Sequence, residues 1–336
     1  MSASVQLVRA AVEATTINSP TSYSWFGQLI QQVPERWERE MTPTTARAYL
    51  RYAIQLRLYE DFYCRGRAAP MLNARAGSLV PGLTPFVQGL SASNLGSGTR
   101  EPGWQVRGVE YRTVVVERQG LSLWVPPQDT WPRRRGALVP GATVSVSFPK
   151  ELLQLSPGFY MALGNRWLEI GDGLGMVRFY WHLRSEGAAA LVAAITARFN
   201  RARLPFRLKV VNEPRLYTRC DAGVLYARKR DYGLLARLVA EVHAAVSSYL
   251  EPATPAFTKP LASGLGLAED PGDGGSFGMN RSGHLAEGII RAHELAKESV
   301  ADRMKIVDNC FEEAGISLAA AFLNPGSSDR YGFRIH

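Results

Sequence analysis

Hydrophobic and polar positions change their period along the 336 residues. In TTARAYLRYAIQLRLYEDFY, just behind Thr42-Pro43, apolar residues recur every three or four positions, which predicts a helix. From about Ala68 to Gly103, Gly, Ser, Pro and Asn take over and leave room for one short helix. Between Trp104 and Lys150 the period shortens. VEYRTVVVE, LSLWV and ATVSVSF read as strands, separated by Gly, Pro and an RRRG turn. Beyond residue 151 the two periods mix. GMVRFYWHL, PFRLKVV and AGVLYAR predict strands, and EGAAALVAAITARFNRA and DYGLLARLVAEVHAAVSSYL predict amphipathic helices. Glu251–Gly283 reads as a long irregular loop, two helical patterns run from His284 to about Gly315, and YGFRIH closes the chain as a strand-like tail. The expected fold class is α+β: a mostly helical N-terminal region (1–103), a β-rich segment (104–150), and a mixed sheet core flanked by helices (151–336).

Composition narrows the function classes. An apolar fraction of 46% and a charged fraction of 21% describe a globular chain with a real core. The longest apolar run, near Ala188–Ile195, is less than half of the roughly 20 residues needed to cross a bilayer. The first twenty residues carry neither a basic flank nor an apolar export signal, so a cytoplasmic location is expected. Cys64, Cys220 and Cys310 are odd in number and far apart, and no metal-binding spacing occurs; reduced thiols and no metal are expected. GxxxxGK and GxGxxG are both missing, and no nucleotide cofactor is expected.

The net charge of +9 favours anionic partners, although scattered arginines without a stacking-aromatic motif argue against nucleic acid. Of 39 basic residues only six are lysines. In a chain that uses arginine by default, Lys209 inside FRLKVV stands out, because only lysine readily gives up its proton. Alternation puts Arg207 and Lys209 opposite Phe206, Leu208 and Val210, and groups Arg178, Tyr180 and His182 opposite Phe179, Trp181 and Leu183. If extended, YTRCD aligns Tyr217, Arg219 and Asp221. The result is a cationic face, which ordinary solvent-facing alternation would also produce. Lys259 and Arg281 bracket a Gly-rich stretch suited to anion binding. Within it Gly274-Gly275-Ser276-Phe277-Gly278 matches the nucleophile-elbow pattern GxSxG, but AEDPGDG before it does not read as the core strand that such an elbow requires.

PGFYMALG (157–164), VRFYWHL (177–183), PFRLKVVNEPRLYTRCDAGVLY (205–226) and FTKPLASGLGLAEDPGDGGSFGMNR (257–281) together resemble the HopA-type effector family, over roughly residues 150–336. That family is named for a secreted effector of plant-pathogenic bacteria, and it has relatives in class V lanthipeptide and thioamitide biosynthesis. The resemblance implies a phosphoserine/phosphothreonine lyase. Such an enzyme works beside a separate aminoglycoside-phosphotransferase-like kinase and eliminates phosphate from a phosphorylated precursor peptide to leave dehydroalanine or dehydrobutyrine. The Arg- and Ala-rich composition suits a biosynthetic protein better than a plant-pathogen effector.

On that reading Lys209 is the base, with His182 or Tyr226 as the acid. Arg178, Arg207, Arg219, Lys259, Ser276 and Arg281 hold phosphate, with Tyr217 and Asp221 in support. No metal or other cofactor is needed. One departure stands out. Related effector lyases carry the base and a histidine acid two residues apart on one strand, whereas position 211 here is Val211. The alternative is a non-catalytic family member that binds a peptide or host protein.

Overall fold

The computed structural model describes residues 3–31, 33–71, 83–132, 138–153, 155–168 and 175–334. The N-terminal part comprises α1 (Ala3–Ala14), β1 (Thr15–Ser19), β2 (Ser22–Trp25), β3 (Gln28–Gln31), α2 (Glu35–Glu38), α3 (Pro43–Leu58) and α4 (Pro85–Ser93). A five-stranded unit follows: β4 (Thr99–Glu110), β5 (Thr113–Arg118), β6 (Leu121–Val125), β7 (Thr130–Trp131) and β8 (Thr143–Phe148). Next come β9 (Glu151–Leu152), β10 (Phe159–Leu163), β11 (Met176–Trp181), α5 (Ala188–Arg201), β12 (Phe206–Val211), β13 (Gly223–Arg228) and α6 (Tyr232–Val246). The last elements are β14 (Lys259–Ala262), β15 (Leu265–Glu269), α7 (Phe277–Glu294) and α8 (Val300–Glu313). The fold is α+β, as its mixed periods predict.

A seven-stranded antiparallel sheet, ordered β14-β15-β11-β13-β12-β10-β9, organises the second half. Its two faces differ because the strands alternate. Phe179, Trp181, Phe206, Leu208, Val210, Leu225 and Ala227 are buried with Leu191, Ile195, Val239 and Val242 of α5 and α6. Tyr180, Val224 and Ala268 belong instead to a second core with Leu50, Ile54 and Leu58 of α3, and with Phe277 and Ile289 of α7. The N-terminal helices therefore share a core with this sheet. The unit β4–β8 has its own core around Trp104, Val106, Val114, Val116 and Val144. No helix among the described residues is long and apolar enough to cross a membrane.

Several expectations need correction. Residues 251–283 are not irregular: they contain the β14–β15 hairpin, and β15 is buried along its whole length beside β11. Its glycines answer to geometry rather than to looseness. Gly264 turns the hairpin at φ +68°, and a Cβ on Gly266 would come within 2.6 Å of Thr258 Oγ1. Helix α7 starts at Phe277, not His284, because Ser276 caps it. VEYRTVVVE is two strands, since Tyr111 and Arg112 both take positive φ and reverse the chain. The N-terminal region also holds a three-stranded sheet, β1–β2–β3. The tail forms no strand over 331–334, and the RRRG turn (133–136) lies outside the described residues. All three cysteines are free and buried, as expected.

Helices α7 and α8 touch at Gly288, where a Cβ would sit 2.6 Å from Val307 Cα. Backbone cannot yield as a side-chain tip can. Gly288→Ala should lower stability by about 1–3 kcal/mol through overpacking, despite alanine's better helix propensity. Urea denaturation checks this, and an unchanged midpoint would show that the helices separate freely.

Candidate functional site

The cavity of interest opens on the sheet face that α5 and α6 leave uncovered. It measures about 390 Å³. Register arranges its wall in two rows. Arg207 pairs with Tyr226, and Tyr226 with Arg178, so one row reads Arg207–Tyr226–Arg178. The next reads Met161–Lys209–Val224–Tyr180. Residues two apart on a strand share a face, so the rows lie about 7 Å apart. Phe159, Asp221 and the loop residues Asp270, Gly272, Gly274, Gly275 and Ser276 close the sides, with Tyr59 and Tyr63 from the turn that ends α3.

Charge in this cavity is unevenly compensated. Arg178 donates from Nε to Asp270 Oδ2 at 2.7 Å and from Nη2 to the Gly275 carbonyl at 2.8 Å. Arg219 donates to both Asp221 oxygens, at 2.5 and 2.9 Å, and to the Tyr59 hydroxyl at 2.8 Å. Those two carboxylates are thereby occupied. Arg207 donates to the Leu168 carbonyl at 3.1 Å, and Lys209 Nζ lies 3.9 Å from the centre of the Phe159 ring. Neither has a carboxylate partner among the described residues. Burial pulls the Lys209 amine down to about 8; Asp221 opposes this, and Arg219 and Arg178 reinforce it. Burial also raises the Tyr226 hydroxyl, so a neutral phenol stands between Arg207 and Arg178.

Ser276 lines the cavity as the cap of α7, with Met279 N–H donating to its Oγ at 3.5 Å. The amino end of an 18-residue helix thus faces the space, which favours a negative charge there. Among the described residues no histidine lines the cavity, His284 packs against Phe311, and Ser276 of GGSFG caps a helix.

The structure brings together Lys209, Tyr226, Arg178, Arg207, Asp221 and Ser276. Arg219 stands behind them, holding Asp221. Four expected residues lie elsewhere. His182 shares a face with Tyr180 but sits beyond the cavity, its Nδ1 3.0 Å from the Ala253 carbonyl. Tyr217 donates to the Val211 carbonyl and packs on Phe86. Lys259 pairs with Asp329 at 2.6 Å. Arg281 is buried and holds the Ala321 and Leu323 carbonyls at 2.8 and 2.9 Å, so it anchors the following segment rather than an anion.

Sequence reasoning missed Tyr59, Tyr63, Phe159 and Asp270. The tyrosines end a helical run that widens into a π turn, which an apolar period does not reveal. Asp270, directly after the strand that was read as loop, carried no signal. Among the described residues no group of three or more His, Cys, Asp or Glu gathers in a way that could hold a metal.

A model of the HopA1 effector protein family matches residues 152–323, just over half of the chain. Among solved structures, the effector protein from Pseudomonas syringae pv. tomato strain DC3000 aligns with a TM-score of 0.45 and 15% identity. That alignment covers 83% of this chain and 95% of the other. The effector protein from Pseudomonas syringae pv. syringae strain 61 aligns with a TM-score of 0.38 and 15% identity, over 50% of this chain and 63% of that one. No curated protein matches the chain.

The amine of Lys209 should titrate near 8, well below an ordinary lysine. Removing the negative charge in Asp221→Asn should lower that midpoint further, because Arg219 and Arg178 then act unopposed. Carbon-13 dimethyl-lysine NMR reads it, the resonance being assigned by its loss in Lys209→Arg. A midpoint that rises in Asp221→Asn would overturn this account of the cavity's field.

Proposed function

The chain belongs to the HopA1 effector protein family, and we propose that it is a phosphoserine/phosphothreonine lyase acting on a phosphorylated peptide. The observation that carries this reading is the pair Arg207 and Lys209, two cations on one strand face with no carboxylate partner among the described residues. A phosphomonoester dianion carries two matching charges. Arg207, Arg178 and the amino end of α7 would receive the phosphate over the Tyr226 row. The Cα of the same residue would then face Lys209, one row along.

Elimination needs a base that is neutral part of the time near neutral pH, and a lysine drawn down to about 8 meets that need. Lys209 Nζ takes the Cα proton, the Cα–Cβ double bond forms, and the Cβ–O bond breaks. The leaving phosphate oxygen accepts the proton of the Tyr226 hydroxyl, and Arg207 and Arg178 hold the released anion. The phosphate would be put on by a separate kinase of the aminoglycoside-phosphotransferase type.

Incubation of a phosphothreonine peptide with the protein should give a product lighter by the elements of phosphoric acid. Loss of HPO₃ alone would mean hydrolysis, and no mass change would favour the non-catalytic alternative. Lys209→Ala and Lys209→Arg should both be nearly inactive, since a guanidinium stays protonated. An active arginine variant would remove Lys209 from the base role.

Arg207→Ala should weaken binding of a phosphopeptide by about 1.5–3 kcal/mol, the worth of a charge-assisted hydrogen bond, and leave the unphosphorylated peptide unaffected. Isothermal titration calorimetry with both peptides decides this. Equal losses would assign Arg207 to the fold.

A further inference from the structure

Four side chains of the cavity wall stand at the corners of one small rectangle on the sheet. Arg207 faces Tyr226 across the β12–β13 pair, and Lys209 faces Val224 two residues along. Neighbouring strands lie about 4.8 Å apart, and residues two along a strand about 7 Å apart. All four side chains line the cavity. Three corners have a use in the lyase reading: Arg207 for the phosphate, Tyr226 for the leaving oxygen and Lys209 for the Cα proton. The fourth is a hydrocarbon.

Val224 belongs to the core that contains Tyr180 and Phe277, and only 5% of it is exposed. Being β-branched and on a strand, it has little rotamer freedom. What it shows the cavity is a stationary apolar wall. A phosphoserine leaves that wall uncovered. A phosphothreonine carries one more methyl, on the same Cβ that bears the departing oxygen. With that oxygen directed to Tyr226 on β13, the substituents of Cβ fall on the β13 side of Lys209, away from Met161 on β10.

We infer that Val224 seats the Cβ methyl and makes phosphothreonine the preferred substrate, with dehydrobutyrine as the favoured product. The inference rests on the lyase reading for the pose, and goes beyond it in choosing between the two phosphoamino acids. The bond changes stay the same: Cα–H and Cβ–O break, and the methyl remains on the new double bond. One methyl in an apolar pocket is worth roughly tenfold or more in kcat/KM. The preference has to come from the site, because in free solution the extra methyl slows base-promoted elimination.

The test lets two peptides compete for the full chain, identical except for phosphothreonine or phosphoserine at one position. Mass spectrometry reads the ratio of the two olefins. The unaltered protein should favour phosphothreonine by about tenfold or more. Val224→Ala takes the wall away and should bring the ratio close to one. Val224→Leu fills the corner and should turn the ratio in favour of phosphoserine. Each ratio is taken within one preparation, so a loss of folded protein cancels. An even ratio or a serine preference in the unaltered protein, or a threonine preference that persists in both variants, overturns the inference. A second pair of peptides carries a methylene in place of the ester oxygen, with and without the Cβ methyl, so that no phosphate can leave. Fluorescence anisotropy should show tighter binding of the methylated one, and Val224→Ala should abolish that advantage. Olefin without a preference sinks the inference alone. A methyl-dependent affinity without olefin sinks the lyase reading and leaves the seat for the methyl standing, and the absence of both signals overturns both.

Discussion

Positive charge out of reach of carboxylate is the constraint around which this sheet is organised. Burying an unpaired cation costs several kcal/mol, so each one must find a substitute for water. Arg178 and Arg219 take the two nearby carboxylates, Asp270 and Asp221. Arg281 is held by main-chain carbonyls and lies over the Phe277 ring. Among the described residues Arg207 has one carbonyl, and Lys209 has the face of Phe159. Sealed off, those last two would be untenable as cations. An open cavity at their tips resolves the conflict.

The segments around the cavity also stiffen it. Glu269, fully buried at the end of β15, receives the Tyr331 hydroxyl at 2.5 Å and the Asn324 N–H at 2.9 Å, and pairs with Lys229. The next residue is Asp270, which fixes Arg178. Arg281 draws in the same stretch through Ala321 and Leu323. Residues far from the cavity therefore set the angle of one of its arginines, and position rather than contact is their contribution.

Alternation made half of this site legible. Period two puts Arg207 with Lys209, and Arg178 with Tyr180, opposite uniformly apolar residues, and the structure brings all four to one cavity. A face is not yet a place. His182 has the right parity and still lies too far along its strand, bound to the Ala253 carbonyl. Arg281 and Lys259 looked like anion ligands because they flank glycines, yet which partner covers a flanking residue is decided by segments distant in sequence. The glycines themselves misled in the same way. Gly264 and Gly266 permit a tight, buried hairpin, and composition alone does not separate that from slack.

Where α7 begins, the ring of Tyr63 lies flush on Gly278: a Cβ there would come within 2.3 Å of it. The cavity wall thus joins Tyr59 and Tyr63 to Ser276 and its neighbours, more than two hundred positions later. Contacts of such sequence separation form late, after the loop between them has closed. On a ribosome the early tyrosines wait for nearly the whole chain to emerge. The cavity that receives the Lys209 amine is therefore incomplete in a nascent or truncated chain, whose strand carries the lysine without the walls from both ends.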